Sequence, residues 1–279
     1  MPELPEVETI RNELSPLITR HRIIGLNLFW QDAVREPSVW EFRQRIIGKM
    51  IKGIHRRGKY FLFQLSGDET LIIHLKMTGV LLAQPTPTTP KKHTTAIFQL
   101  DGGVDLYFID QRKFGSIWLV KDVNTVIGKL GPEPLDASFV PAVLRKLSVK
   151  RRIPIKTLLC DQHAIAGIGN MYADEALFSA RIHPLKKANT LTDSEIDRLH
   201  AAIKEVLERG IQNKGASTDT YRRPDGNTGN AHTEFNVAHR YEEACPVCGS
   251  PISRIRLGGR GTYFCPDCQR DESQGRLCL

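Results

Sequence analysis

Four cysteines fall in two close pairs, Cys245-x2-Cys248 and Cys265-x2-Cys268. Each pair can grip one side of a tetrahedral ion from a tight turn, and the interval between the pairs is long enough for a β-hairpin. Four thiolates leave no position open for water, so one structural Zn2+ is expected and a catalytic zinc is not. The other two cysteines carry no such pattern. Cys160 sits in an apolar run and reads as a small buried side chain, while Cys278 lies in a polar tail and reads as exposed. A second kind of chemistry stands at the chain start, Met1-Pro-Glu-Leu-Pro-Glu6. Removal of Met1 would leave Pro2 as a secondary amine of a class that titrates near pH 8, against about 10.4 for lysine, so a neutral nucleophilic fraction exists at neutral pH. Glu3 would lie beside it as an acid or base. The same residues also suit a plain helix start, where proline is favoured.

Two glycine-rich turns are open in the same way. Ala166-Gly-Ile-Gly-Asn170 leads into a helical stretch, where free backbone amides make a phosphate cradle, or it is only an inter-helix turn. It is no dinucleotide fingerprint, because Tyr172 stands where the third glycine belongs and no strand precedes it. Leu257-Gly-Gly-Arg-Gly-Thr-Tyr263 lies between the cysteine pairs. Its glycines let the backbone press Arg260 against another surface, or leave a solvated arginine in an ordinary turn.

The elements that must position these residues follow from apolar periodicity. Val7, Ile10 and Leu14 are spaced for a helix with acids in its first turn. From residue 22 to 120 the pattern is one of short strands, for example 23–30, 59–65, 70–75, 95–100 and 104–109, the last two joined by Asp101-Gly-Gly103. Together they imply an antiparallel sandwich or flattened barrel. The stretch Gln84-Pro-Thr-Pro-Thr-Thr-Pro90 cannot be a central strand and reads as a loop. Helices take over after Gly131-Pro-Glu-Pro134. Thr192-Asp-Ser-Glu195 is a capping box ahead of the apolar face Ile196, Leu199, Ile203, Val206 and Leu207. A long polar stretch, 214–239, then precedes the cysteine module.

The 279-residue chain carries 39 Lys and Arg against 31 Asp and Glu, a net charge of +8. That balance suits a polyanion, since each neutralised phosphate releases counterions. Basic residues cluster at Lys49, Lys52, Arg56, Arg57 and Lys59, and again at Lys146, Lys150, Arg151, Arg152 and Lys156. No segment approaches the roughly 18 apolar residues of a membrane span. The acidic start is unlike a secretory signal, so the cytoplasm is the expected compartment.

Four motifs then occur together and in order: Met1-Pro-Glu-Leu-Pro-Glu-Val-Glu-Thr9, Asp110-Gln-Arg-Lys-Phe-Gly115, Gly167-Ile-Gly-Asn170, and the four cysteines with Gly259-Arg-Gly261. The set resembles the family of formamidopyrimidine-DNA glycosylases, the Fpg/Nei repair enzymes, over essentially the whole chain. The resemblance implies an α+β multidomain fold. An N-terminal antiparallel β-sandwich with an N-terminal helix would span 1–130, a helical helix-two-turn-helix DNA-binding domain with a lesion-covering loop 131–240, and a C-terminal four-cysteine zinc-finger β-hairpin with its tail 241–279.

The resemblance further implies a bifunctional DNA glycosylase and abasic-site lyase that needs no soluble cofactor. Pro2 would be the nucleophile that forms a Schiff base, Glu3 its acid/base partner and Glu6 a supporting residue. Lys59 would move the proton in β-elimination and Arg260 would serve δ-elimination. Met77, Arg112 and Phe114 resemble a trio that fills the hole left by an everted base, a step that costs roughly a few kcal/mol. His93 and Arg152 fall at DNA-contacting positions, and His74 and Asn170 resemble phosphate ligands. The expected partner is double-stranded DNA containing oxidised bases or abasic sites, met by a monomer at the nucleoid. Oxidised purines, 8-oxoguanine and formamidopyrimidines, are the expected lesions. Oxidised pyrimidines would suit the Nei branch instead. A non-catalytic zinc-ribbon protein is the alternative from another class, against which the set Pro2, Glu3, Lys59 and Arg260 argues. The lesion-covering segment varies greatly among members, and Arg222, Arg223, Asp225 and the Asn/Gly run of this chain map onto no family pattern residue by residue.

Overall fold

The computed structural model describes residues 1–86 and 89–270. Pro87 and Thr88 of the Pro-Thr stretch, Cys278 and the tail after Arg270 lie outside the described residues. The chain forms two compact units, one of residues 1–129 and 210–231, the other of 130–209 and 232 onward.

The first unit contains α1 (Leu4–Ile18), β1 (Ile23–Leu28), β2 (Val34–Glu36), α2 (Val39–Ile46), β3 (Ile51–Arg57), β4 (Tyr60–Leu65), β5 (Thr70–His74), β6 (Gly79–Pro85), β7 (Thr94–Leu100), β8 (Val104–Asp110), β9 (Ser116–Val120) and α3 (Asn124–Ile127). Its strands make a four-stranded sheet, β1-β7-β8-β6, and a five-stranded sheet, β2-β9-β5-β4-β3. Val7, Ile10, Leu14 and Ile18 place one stripe of α1 in a core shared with Phe61, Phe63, Ile73, Phe98 and Phe108 from both sheets. Burying a side chain of this size is worth about 1.5–3 kcal/mol, so the stripe is what seats the helix. Every pairing is antiparallel except β2 with β9, a parallel edge pair that the strand periodicity did not reveal. Gln84 and Pro85 belong to β6 rather than to a loop, and β6 is an edge strand, where a missing N–H breaks no ladder.

The second unit contains α4 (Pro141–Ser148), α5 (Ile155–Cys160), α6 (Asn170–Ser179), most of α7 (Asp193–Gln212), and the hairpin β10 (Ser253–Leu257) and β11 (Arg260–Phe264). The capping box forms as expected: Glu195 N–H donates to Thr192 Oγ1 at 3.3 Å, and Thr192 N–H donates to Glu195 Oε2 at 2.9 Å. Cys160 is buried. Residues Met171 to Phe178 of α6 are all buried, including Asp174 and Glu175. A helix buried all round with two carboxylates must supply partners for both. Among the described residues no helix is long and apolar enough to cross a membrane.

Candidate active site

In the first unit the chain start folds as a capped helix. Pro5 stands in the first turn, and the Glu3 N–H donates to Glu6 Oε2 at 2.8 Å. The other oxygen, Oε1, accepts the Ala216 N–H at 2.8 Å. Glu6 is wholly buried and Glu3 nearly so. One carboxylate therefore ties the helix start to a backbone amide far along the chain. Pro2 is buried while Met1 is exposed. Glu8, two residues further along the helix, accepts Arg56 Nε at 2.7 Å, and Arg56 Nη1 donates to Gly58 O at 3.1 Å. That relay fixes the β3–β4 turn carrying Lys59, itself buried.

His74 is paired across the sheet with Tyr60, whose ring meets it edge-on at 4.4 Å. Its Nδ1 accepts the Lys76 N–H at 2.9 Å, which leaves the proton on Nε2. Burial, with the charges of Lys76 and Lys59 beside it, pushes the imidazole down to about 3, so His74 is neutral at physiological pH. It is a buried sheet residue that offers one N–H donor.

The Asp110–Gly115 motif is organised by its first and last residues. Asp110 Oδ2 accepts the Gly115 N–H at 2.6 Å, and Oδ1 accepts the Thr78 hydroxyl at 2.5 Å and the Arg112 N–H at 3.2 Å. A Cβ on Gly115 would lie 2.3 Å from Phe108 Cζ, so the close return demands glycine. The Thr78 bond ties this turn to the one carrying Met77. Met77 and Phe114 are large apolar side chains left 40% and 48% exposed, and the Arg112 guanidinium stacks 4.6 Å over the Phe114 ring. Large apolar side chains left exposed near one another mark a candidate contact surface. Lys113 reaches back to lie 4.0 Å over Trp30. His93 is exposed, with φ +65°.

In the second unit the four cysteine sulfurs lie within 4.8 Å of one another. Cys245 Sγ is 3.8 Å from Cys268 Sγ, and Cys248 Sγ is 3.4 Å from Cys265 Sγ. Tetrahedral zinc with bonds of about 2.3 Å requires sulfurs about 3.8 Å apart, so the donor set fits. The Cys268 N–H points at Cys265 Sγ at 3.4 Å, a bond that favours the thiolate. The hairpin turns through Gly258 and Gly259, φ +55° and +79°, which puts the exposed Arg260 at its tip.

Beneath the hairpin is a buried ion pair that sequence spacing did not reveal. Lys156 Nζ lies 2.7 Å from Asp174 Oδ1, with side chains 2% and 0% exposed. The same Nζ donates to Thr262 Oγ1 at 2.8 Å and Gly261 O at 3.2 Å, while the Tyr263 N–H donates to Asp174 at 3.2 Å. Asn170 Nδ2 also donates to Gly261 O at 2.9 Å. Burial pushes the Asp174 carboxyl up to about 7 against the pull of Lys156. Glu175 accepts the N–H groups of Asn236, Val237 and Ala238 at 2.8–3.0 Å. The Gly-Ile-Gly-Asn turn and the residue after Arg260 are thus bonded directly. Lys156 is no surface cation, although it closes a basic run. Arg152 in that run is exposed.

Three family models match in order: the formamidopyrimidine-DNA glycosylase N-terminal domain over residues 1–117, its H2TH domain over 130–222, and the zinc finger found in FPG and IleRS over 242–270. The chain belongs to the formamidopyrimidine-DNA glycosylase family. It is 46% identical over 271 residues to the formamidopyrimidine-DNA glycosylase of Chloroflexus aurantiacus, covering 96% of this chain and 98% of that one. Among solved structures, it resembles a Lactococcus lactis FPG mutant in complex with a Fapy-dG containing DNA, with 36% identity, TM-score 0.91, and coverage of 97% and 100%. Wild-type Lactococcus lactis FPG in complex with an oxidised pyrimidine containing DNA gives 36% identity and TM-score 0.90, with coverage of 97% and 100%. Membership makes the four-cysteine group the site of one structural zinc. In a glycosylase of this family the residues hidden from sequence reading are supports: Glu8 with Arg56, Thr78 with Asp110, and Lys156 with Asp174. Glu8 and Asp110 stand within the family motifs and Arg56 and Lys156 within basic runs, but neither kind of signal says which partner each one meets.

Proposed function

We propose that this chain is a base-excision repair enzyme that removes oxidised purines from duplex DNA and then cleaves the abasic strand. The observation that carries the reading is the helix start, where buried Pro2 is followed by buried Glu3 and Glu6, and Lys59 is held on a turn braced from the same helix. Once Met1 is removed, the Pro2 nitrogen attacks the sugar carbon bearing the lesion. The base leaves with the bonding electrons, Glu3 serves the ring oxygen as acid, and an iminium forms. That iminium is an electron sink, so loss of the 3′ phosphate needs only a proton removed from the neighbouring carbon, the task of Lys59. Arg260 stabilises the 5′ phosphate as it leaves in δ-elimination. Meanwhile Phe114 wedges into the stack, Arg112 bonds the orphaned base and Met77 fills the vacated space.

Phosphates flanking the lesion are held by His74 through Nε2–H, by Asn170 and the first amides of α6, and by Arg152 and His93. Zinc on Cys245, Cys248, Cys265 and Cys268 supplies folding of the hairpin rather than chemistry, because four thiolates close the coordination sphere. The enzyme acts as a monomer in the cytoplasm, at the nucleoid.

Borohydride trapping on a duplex with 8-oxoguanine opposite cytosine tests the reading. A covalent adduct is expected from the parent protein with Met1 removed and none from Pro2→Gly. Preferential release of thymine glycol over 8-oxoguanine would move the assignment to oxidised pyrimidines. Absence of any adduct, on abasic DNA as well, would leave a binding protein only.

A further inference from the structure

The loop after α7 is bonded to itself. Ala216 and Asn230 form a bridge, the Ala231 N–H donates to Gly215 O at 3.0 Å, and the Gly229 N–H donates to Ser217 Oγ at 2.9 Å. Ser217 Oγ in turn donates to Tyr221 O at 3.2 Å, and the Arg223 N–H donates to Asn227 O at 2.9 Å. These bonds tie the two limbs of the loop to each other.

It meets one face of α1 at three places, spaced i, i+3 and i+7. Glu6 accepts the Ala216 N–H at 2.8 Å. Tyr221, 5% exposed, packs into the core that α1 helps to build, with Thr9 among its neighbours and its hydroxyl donating to Lys214 O at 2.9 Å. At the third place Arg223 grips Glu13, Nε at 3.0 Å and Nη2 at 2.8 Å from Oε1. The first two contacts are buried parts of the core. The third is ionic and two-pronged, between side chains that keep 24% and 21% of their surface in water. It holds the outer limb of the loop, while the arc from Ser217 to Thr220 hangs between the anchors.

We propose that Glu13 and Arg223 are a positioning clasp that sets base selection. By fixing the outer limb on the helix that begins with Pro2, the pair holds the arc 217–220 ready to grip an everted base. The inference rests on the glycosylase reading, in which this loop covers the lesion. Releasing a base needs that grip, whereas an abasic site has no base to hold, so strand cleavage there does not depend on the clasp.

The test compares single-turnover release of 8-oxoguanine from duplex DNA with cleavage of the same duplex carrying an abasic site. For Glu13→Gln and Arg223→Gln, base release is expected to fall about tenfold, as for misplacement of a positioning group, with abasic cleavage within about twofold of the parent. The reversed pair, Glu13→Lys with Arg223→Glu, is expected to recover most of the lost base release. Single variants that leave both activities unchanged, or lower them in parallel, would overturn the clasp, as would a reversed pair that recovers nothing. A parent protein inactive on both DNAs would instead overturn the glycosylase reading, and the clasp with it.

Discussion

His74 shows what burial does to a single titratable group. Its imidazole is pushed down to about 3 from 6.5, chiefly by burial and then by the charges of Lys76 and Lys59. The unfolded chain therefore takes up a proton at this residue before the folded one does. The stability it contributes is complete above pH 6.5 and is lost as the pH falls toward 3. Unfolding by urea at pH 6 and pH 4 should show the parent losing up to about 1.4 kcal/mol per pH unit more than His74→Gln. Equal losses in the two proteins would remove His74 as the cause. Histidine 74 was legible in the sequence only as a candidate, because a β-strand pattern does not say which neighbour crosses it. The reverse holds for Pro2, Glu3 and Glu6, whose signal is their order in the chain. Lys156 was misleading: five basic residues in a short run suggest an exposed face, and its partner Asp174 lies on another helix.

At the scale of elements, the Lys156–Asp174 pair separates stability from placement. Lys156→Met leaves a buried carboxyl without its counter-charge, a change that costs about 3–5 kcal/mol. The lower end is expected, because Asp174, already raised to about 7, can escape by taking a proton. Lys156→Met with Asp174→Leu should recover most of that loss in urea unfolding. Even so, Gly261 O and the Thr262 hydroxyl lose the Lys156 donor, so the share of δ-elimination product over β product should stay reduced in the double variant. A product ratio that recovers with stability would mean that the pair only holds the fold. Elements with strong local signals were legible: the capped α1 and α7, the alternating strands, and the cysteine hairpin. The short edge strand β2 and helix α2 were not, since three residues of strand carry no periodicity and β2 exists through its pairing with β9.

For the whole molecule, metal and core are divided between the two units. All four zinc ligands lie in the second, and none contributes to the sandwich core of the first. Chelation should therefore abolish DNA binding and strand cleavage together while the thermal transition of the sandwich survives. Full activity in protein verified as zinc-free would contradict the structural role. The order of domains could be seen in the sequence, but not the return of residues 210–231 to the first unit, since no local pattern marks a segment whose partners are some two hundred residues away. That return has a consequence for synthesis on the ribosome. Glu6 is made 210 residues before Ala216, whose amide satisfies its second oxygen, and Glu13 is made 210 residues before Arg223, whose guanidinium pairs with it. Until that segment has been made, the nascent sandwich holds a carboxylate oxygen without its hydrogen-bond donor and an uncovered helix face. The helix that carries Glu6 and Glu13 is translated long before its contacts can be completed.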